Sequence, residues 1–112
     1  SNRKFDKQKF FFILMFVKVH KSYRSVVAVC DSDLVGKTFE EGKFQLEVKE
    51  SFFKGEEVQK DRAIFLMKKM LVEDATFNIV GEDSINAAIK AEIISEDSVG
   101  EIAGIPFALV LD

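Results

Sequence analysis

Apolar residues fill two runs of the chain, 10–17 and 26–30, and the stretch between them, 20–25, is polar or charged. Two such arms around a polar loop predict a β-hairpin over residues 10–31, with a loop longer than the two-residue minimum. The second arm, Val26-Val27-Ala28-Val29-Cys30, is apolar on both alternating faces and is expected inside a sheet that is covered on both sides. The first arm alternates only near its end, where Val17 and Val19 share one face and Lys18 and His20 the other.

Residues 31–36 begin with turn formers and end on Gly36, which predicts one helical turn capped by Asp31 or Ser32. Residues 37–43 read as loop, and 44–49 alternate as a strand with Phe44, Leu46 and Val48 inward, ended by 51–55. From Gln59 the period becomes helical, with Ala63, Leu66, Met67 and Met70 on one face and Lys60, Lys68, Lys69 and Glu73 for water. Residues 76–80 predict a short strand closed by Gly81. A second helix follows, capped by Asp83 or Ser84, with Ile85, Ala88, Ile89 and Ile93 on one face. Residues 95–98 form a turn, and 99–112 read as one strand bent at Gly104-Ile105-Pro106, because proline cannot donate to a ladder. The pattern predicts an α+β single domain: a mixed, mostly antiparallel sheet with an N-terminal β-hairpin, covered by two helices.

At 112 residues the chain is one domain, with 1–11 as an N-terminal extension or expression remnant and 12–112 as the folded unit. Residues 1–11 hold Arg3, Lys4, Lys7 and Lys9 against Asp6, and removing that +3 from the net −3 leaves −6 on the domain. An acidic domain argues against broad nucleic-acid binding, which needs clustered cations for phosphate. One Cys excludes an internal disulfide, and one Cys with one His is too few for a Cys/His metal site, so neither metal nor cofactor is expected. A reducing, cytoplasmic setting follows. The apolar run at 10–17 is too short to cross a bilayer and no small-residue cleavage site follows it, so no membrane association is expected.

Candidate chemistry is sparse, and no catalytic set is complete. Gly36-Lys37-Thr38 resembles the end of a phosphate loop, but Asp31 stands where that loop requires its first Gly. Cys30 and His20 would need to lie within ~3.2 Å to act as nucleophile and base. The hairpin register puts them about five residues apart along the strands, roughly 17 Å. Cys30 then reads as a small buried hydrophobe. Lys18, His20, Lys21 and Arg24, with Lys37, form a candidate anion-contacting patch, His20 being expected at the surface. A candidate pocket gathers Asp31, Gly36, Lys37, Asn78, Gly81 and Glu82, since Gly81 lies at a strand-to-helix junction whose N–H groups can hold an anion. The simpler reading is that Glu82, Asp83 and the Ser84 hydroxyl occupy those donors themselves.

The segments Val17-Lys18-Val19-His20, Val27-Ala28-Val29-Cys30-Asp31, Gly36-Lys37, Glu41-Gly42, Asn78-Ile79-Val80-Gly81-Glu82 and Gly104-Ile105-Pro106, in this order, resemble the archaeal domain-of-unknown-function family 424. The resemblance covers residues 17–108. It implies an archaeal, cytoplasmic protein without an assigned activity, in a translation-related setting. The family pattern has His after the proline, where this chain has Phe107.

Two functions follow as expectations. The first is a non-enzymatic binding or adaptor module, accessory to translation or RNA-related assemblies, that contacts a protein or ribonucleoprotein partner, or RNA directly, through Lys18, His20, Lys21, Arg24 and Lys37. The alternative is a small enzyme or metabolite-binding protein with its pocket near Asp31, Lys37 and Gly81. A homo-oligomer joined through a Phe-rich surface is compatible with either.

Overall fold

The two apolar arms pair with each other. Strand β1 (Met15–His20) runs antiparallel to β2 (Val26–Asp31), with Phe16 opposite Cys30, Val17 opposite Val29 and Val19 opposite Val27. This computed structural model describes residues 13–111. The start of the predicted first arm, at 10–12, and the predicted extension, 1–11, therefore lie outside the described residues. As the two-sided apolarity of β2 requires, that strand is interior: β1 flanks it on one side and β6 (Thr76–Val80), parallel to it, on the other. Strand β5 (Glu56–Val58) lies outside β1, while β8 (Ile105–Val110) and then β7 (Gly100–Ile102) follow β6, all in antiparallel pairs. The sheet order is β5-β1-β2-β6-β8-β7.

Each face of β2 has its own cover. Val27 and Val29, with Met15, Val17, Phe77 and Ile79, face helices α2 (Lys60–Val72) and α3 (Glu82–Lys90), which contribute Ala63, Met67, Met70, Ile85 and Ala88. A parallel neighbour needs a long crossover, and α2 lies on the return from β2 to β6. The alternate residues, Phe16, Ala28, Cys30 and Val80, face Val48, Phe53, Phe39 and Leu46. Those residues come from a separate two-stranded hairpin, β3 (Thr38–Glu41) with β4 (Phe44–Glu47), from Val48 just after it, and from the short helix α1 (Glu50–Phe53). The fold is α+β with a mixed, mostly antiparallel sheet, as its pattern predicts, but the two long helices cover one face only.

Four local expectations are corrected. Residues 38–41, read as loop, form β3, which pairs with β4 across the two-residue turn Gly42-Lys43, where Gly42 adopts φ +59°. Phe44, read as inward, is 70% exposed, because it stands at the turn end of β4, which pairs only with β3. Residues 51–55 contain most of α1 rather than a simple strand end. The bent C-terminal strand is instead a hairpin, turned by Ala103 and Gly104 at φ +53° and +80°, with Glu101 opposite Pro106.

Candidate functional site

The candidate cations do not assemble into one patch. Lys18 Nζ donates to the Ser51 carbonyl at 2.8 Å, and His20 Nε2 donates to the Phe52 carbonyl at 2.8 Å. The His20 ring also stacks on Phe52, with centroids 4.7 Å apart and planes 13° from parallel. Both side chains therefore satisfy carbonyls that a helix end leaves open, and they fasten α1 onto β1. His20 is half-buried there, which corrects the expectation that it is exposed. Arg24 donates from Nε to the Asp74 carbonyl at 2.9 Å and pairs with its carboxylate at 3.3 Å, tying the β1–β2 loop to the turn after α2. Lys37 opens the β3–β4 hairpin, beyond the opposite end of β2, so the two exposed lysines of this set, Lys21 and Lys37, lie at opposite ends of that strand.

Asp31, Gly81 and α3 form the tightest polar cluster among the described residues. Asp31 ends β2 and is 7% exposed. Its Oδ1 accepts from Ser84 N at 2.8 Å and Ser84 Oγ at 2.7 Å, and its Oδ2 accepts from Asp83 N at 3.2 Å. The first turn of α3 is thus capped by a carboxylate 52 residues away, which corrects the expectation that Glu82, Asp83 and Ser84 cap it locally. Burial pushes the Asp31 carboxyl above the ordinary carboxylate range, outweighing the three donors that favour its ionised form. Gly81 holds φ +108°, and a Cβ there would stand 2.4 Å from Asp31 Cγ. Its N–H donates to the Pro106 carbonyl at 2.8 Å. The space expected to hold a ligand between Asp31 and Gly81 is filled by their own contact.

The rest of the candidate pocket is dispersed. Gly36 approaches Glu50, and its N–H donates to the Val48 carbonyl at 2.7 Å. Glu82 is exposed, and Asn78 lies opposite Ala28 on β6, on the face away from α2 and α3. A cleft of about 310 Å3 opens instead between the N-terminal ends of α2 and α3, lined by Ile13, Gln59, Lys60, Asp61 and Asp83. A second, of about 170 Å3, lies on the other face of the sheet against Leu46, Glu47, Phe52, Asn78, Phe107 and Leu109. Cys30 is fully buried opposite Phe16, four residues along β1 from His20, and burial beside Asp31 pushes its thiol up to about 12. A neutral, enclosed thiol is not a nucleophile at ordinary pH.

One end of the domain carries features that single-residue reading did not single out. The Tyr23 side chain is fully exposed in the β1–β2 loop. Val72, at the end of α2, is 86% exposed, and Leu111, just past the Phe77–Val110 pair, is 64% exposed. The three come from neighbouring chain ends, since Val26 pairs with Thr76 and Thr76 N donates to the Ser25 carbonyl. The aromatic between Lys21 and Arg24 was the one available sequence signal.

This six-stranded sheet, with two long helices on one face and a small hairpin on the other, defines a single-domain α+β protein in which Lys18, His20, Arg24 and Asp31 brace the fold. The chain belongs to the family described as Protein of unknown function (DUF424), whose match spans residues 20–112. It is similar to an uncharacterized conserved protein from Methanopyrus kandleri, known from a crystal structure, at 25% identity and a TM-score of 0.79. That similarity covers 87% of this chain and 90% of the other. No curated protein matches the chain. Among the described residues, no helix is long and apolar enough to cross a membrane.

Proposed function

We propose that the protein is a non-enzymatic adaptor that docks on a ribonucleoprotein partner of translation or a related RNA assembly, through the β1–β2 loop. The observation that carries this reading is a tyrosine presented outward by an anchored loop. Ser22 Oγ donates to the Arg24 carbonyl at 2.6 Å, and Arg24 and Ser25 are bonded to Asp74 and Thr76. The loop is thus braced before any partner arrives, which lowers the ordering cost of docking. Tyr23 then offers a flat face on which an unpaired base can stack, with Lys21 beside it for phosphate. Val72 and Leu111 supply apolar surface of the kind that protein contacts bury. The acidic domain limits phosphate attraction to this end, so affinity comes from stacking and shape more than from charge. Cytoplasmic placement belongs to the same proposal.

The test compares the parent chain with the Lys21→Glu, Tyr23→Ala double variant in pull-downs from an archaeal extract, identifying both RNA and protein. The variant is expected to lose its partner while its melting stays within about 0.5 kcal/mol, since neither side chain is buried. Removing one lysine–phosphate interaction also lowers the log–log salt slope by about one. Retention of the same partner with the same salt dependence refutes this surface.

A further inference from the structure

We propose that the groove on the second face of the sheet is a pocket for one adenine base, with Asn78 reading the edge of the ring. The inference deepens the proposed function and rests on it for the source of the base, not for the pocket. Alternation along β6 puts Asn78 on the face shared by Val80, which packs into the second core, so the amide is set among apolar neighbours. Its side chain makes no hydrogen bond to any described residue. The amide is half-buried and still reaches solvent, so a ligand that displaces its water must satisfy both its oxygen and its NH2. Its carbonyl and NH2 present an acceptor and donors side by side, which match the N6 amine and N7 of adenine in a bidentate pair.

The walls suit the same ligand. Phe52 and Phe107 supply aromatic surface and Leu109, 56% exposed, an apolar lip. Rings of this kind receive splayed-out bases in single-strand recognition. Glu47, which lines the groove and pairs through Oε1 with Lys49 at 3.9 Å, keeps its other oxygen to accept from an exocyclic amine, so the site favours adenine over uracil. The volume, about 170 Å3, compares with the ~150 Å3 apolar cavity that takes one benzene, and falls below the ~300 Å3 at which sites for larger ligands begin. Sugar and phosphate therefore stay outside. Phe52 is also fixed in advance, by His20 stacking on its ring and by the bonds of His20 and Lys18 to α1. His20 ends β1 and leads directly into the loop that carries Tyr23, so a strand with one base in the groove can run on to that ring.

The experiment titrates the parent chain, Asn78→Leu, Glu47→Gln and Tyr23→Ala with hexa-adenylate, with hexa-uridylate and with AMP. Heat of binding by titration calorimetry and the Asn78 side-chain amide NMR signal are followed together. The parent is expected to bind adenylate saturably and at least tenfold more tightly than uridylate. Asn78→Leu is expected to weaken adenylate about 5- to 150-fold. Glu47→Gln, at an exposed site that leaves folding untouched, is expected to reduce the adenylate preference, while Tyr23→Ala weakens the hexamer and keeps that preference. AMP binding as tightly as the hexamer supports the pocket and overturns the docking loop. Absence of saturable binding by both adenine ligands, equal binding of uridylate, or an Asn78 amide signal that does not move overturns the pocket.

Discussion

Replacing Asp31 with Ala removes the carboxylate that closes the first turn of α3. Two of the three donors it serves, Ser84 N and Ser84 Oγ, belong to a residue with no solvent exposure, so water cannot take over without opening the fold. An abandoned buried donor costs about 1–3 kcal/mol, which sets a gross loss of about 2–6 kcal/mol. Removing the carboxylate also removes its desolvation cost, and the half-buried Asp83 N–H regains some water, so the net loss is about 2–4 kcal/mol. That exceeds the ~0.5–2 kcal/mol of an ordinary cap, because this one also joins β2 to α3. Urea unfolding followed by circular dichroism reads the change as a lower midpoint at an unchanged slope. Amide exchange at Asp83 and Ser84 should accelerate together. Asp31→Asn keeps one oxygen for Ser84 and is expected to lose only about 1 kcal/mol. An Asp31→Ala protein within about 0.5 kcal/mol of the parent would refute the capping argument.

Gly81→Ala should destabilise strongly on its own and less in the Asp31→Ala background, because the Cβ at 2.4 Å from Asp31 Cγ loses its obstacle while the φ of +108° stays unfavourable; a double-mutant cycle by urea unfolding with no coupling contradicts this. Asp31 has a folded-state pKa above its unfolded value, so its contribution to stability is whole below the ordinary carboxylate range and is lost as pH rises through the raised folded value. The deficit of Asp31→Asn should therefore shrink over that window, and a deficit that grows with pH reverses the sign. Cys30, with no exposed surface and a thiol pushed up to about 12, should resist thiol reagents in the native protein and react on unfolding. Rapid native labelling by Ellman's reagent would show an open path to the strand.

The elements legible in the sequence are those whose residues state their own surroundings. The five apolar residues of β2 announce a strand covered on both faces, and Ala63, Met67 and Met70 announce the buried stripe of α2. Gly81 marks the junction between β6 and α3, because a strand that turns sharply into a helix needs a backbone that few other residues adopt. Which element covers which face is decided at a distance. Thr38 to Glu41 has little apolar content and becomes a strand only because β4 pairs with it, and the three residues of β5 are a strand only because β1 offers an edge. The turn at Ala103 carries no glycine at its first position, so the terminal hairpin was hidden in what read as one bent strand. The same limit governs the polar residues. Lys18, His20 and Asp31 read as candidates for chemistry because charge alone does not name a partner, and folding assigns them to open backbone groups of α1 and α3. Local periodicity records how much of a residue must leave water, whereas the group that meets it there is chosen by chain segments up to 53 residues away. That is why the fold class could be read from the sequence, while the Asp31 cap and the Asn78 groove came only with the tertiary structure.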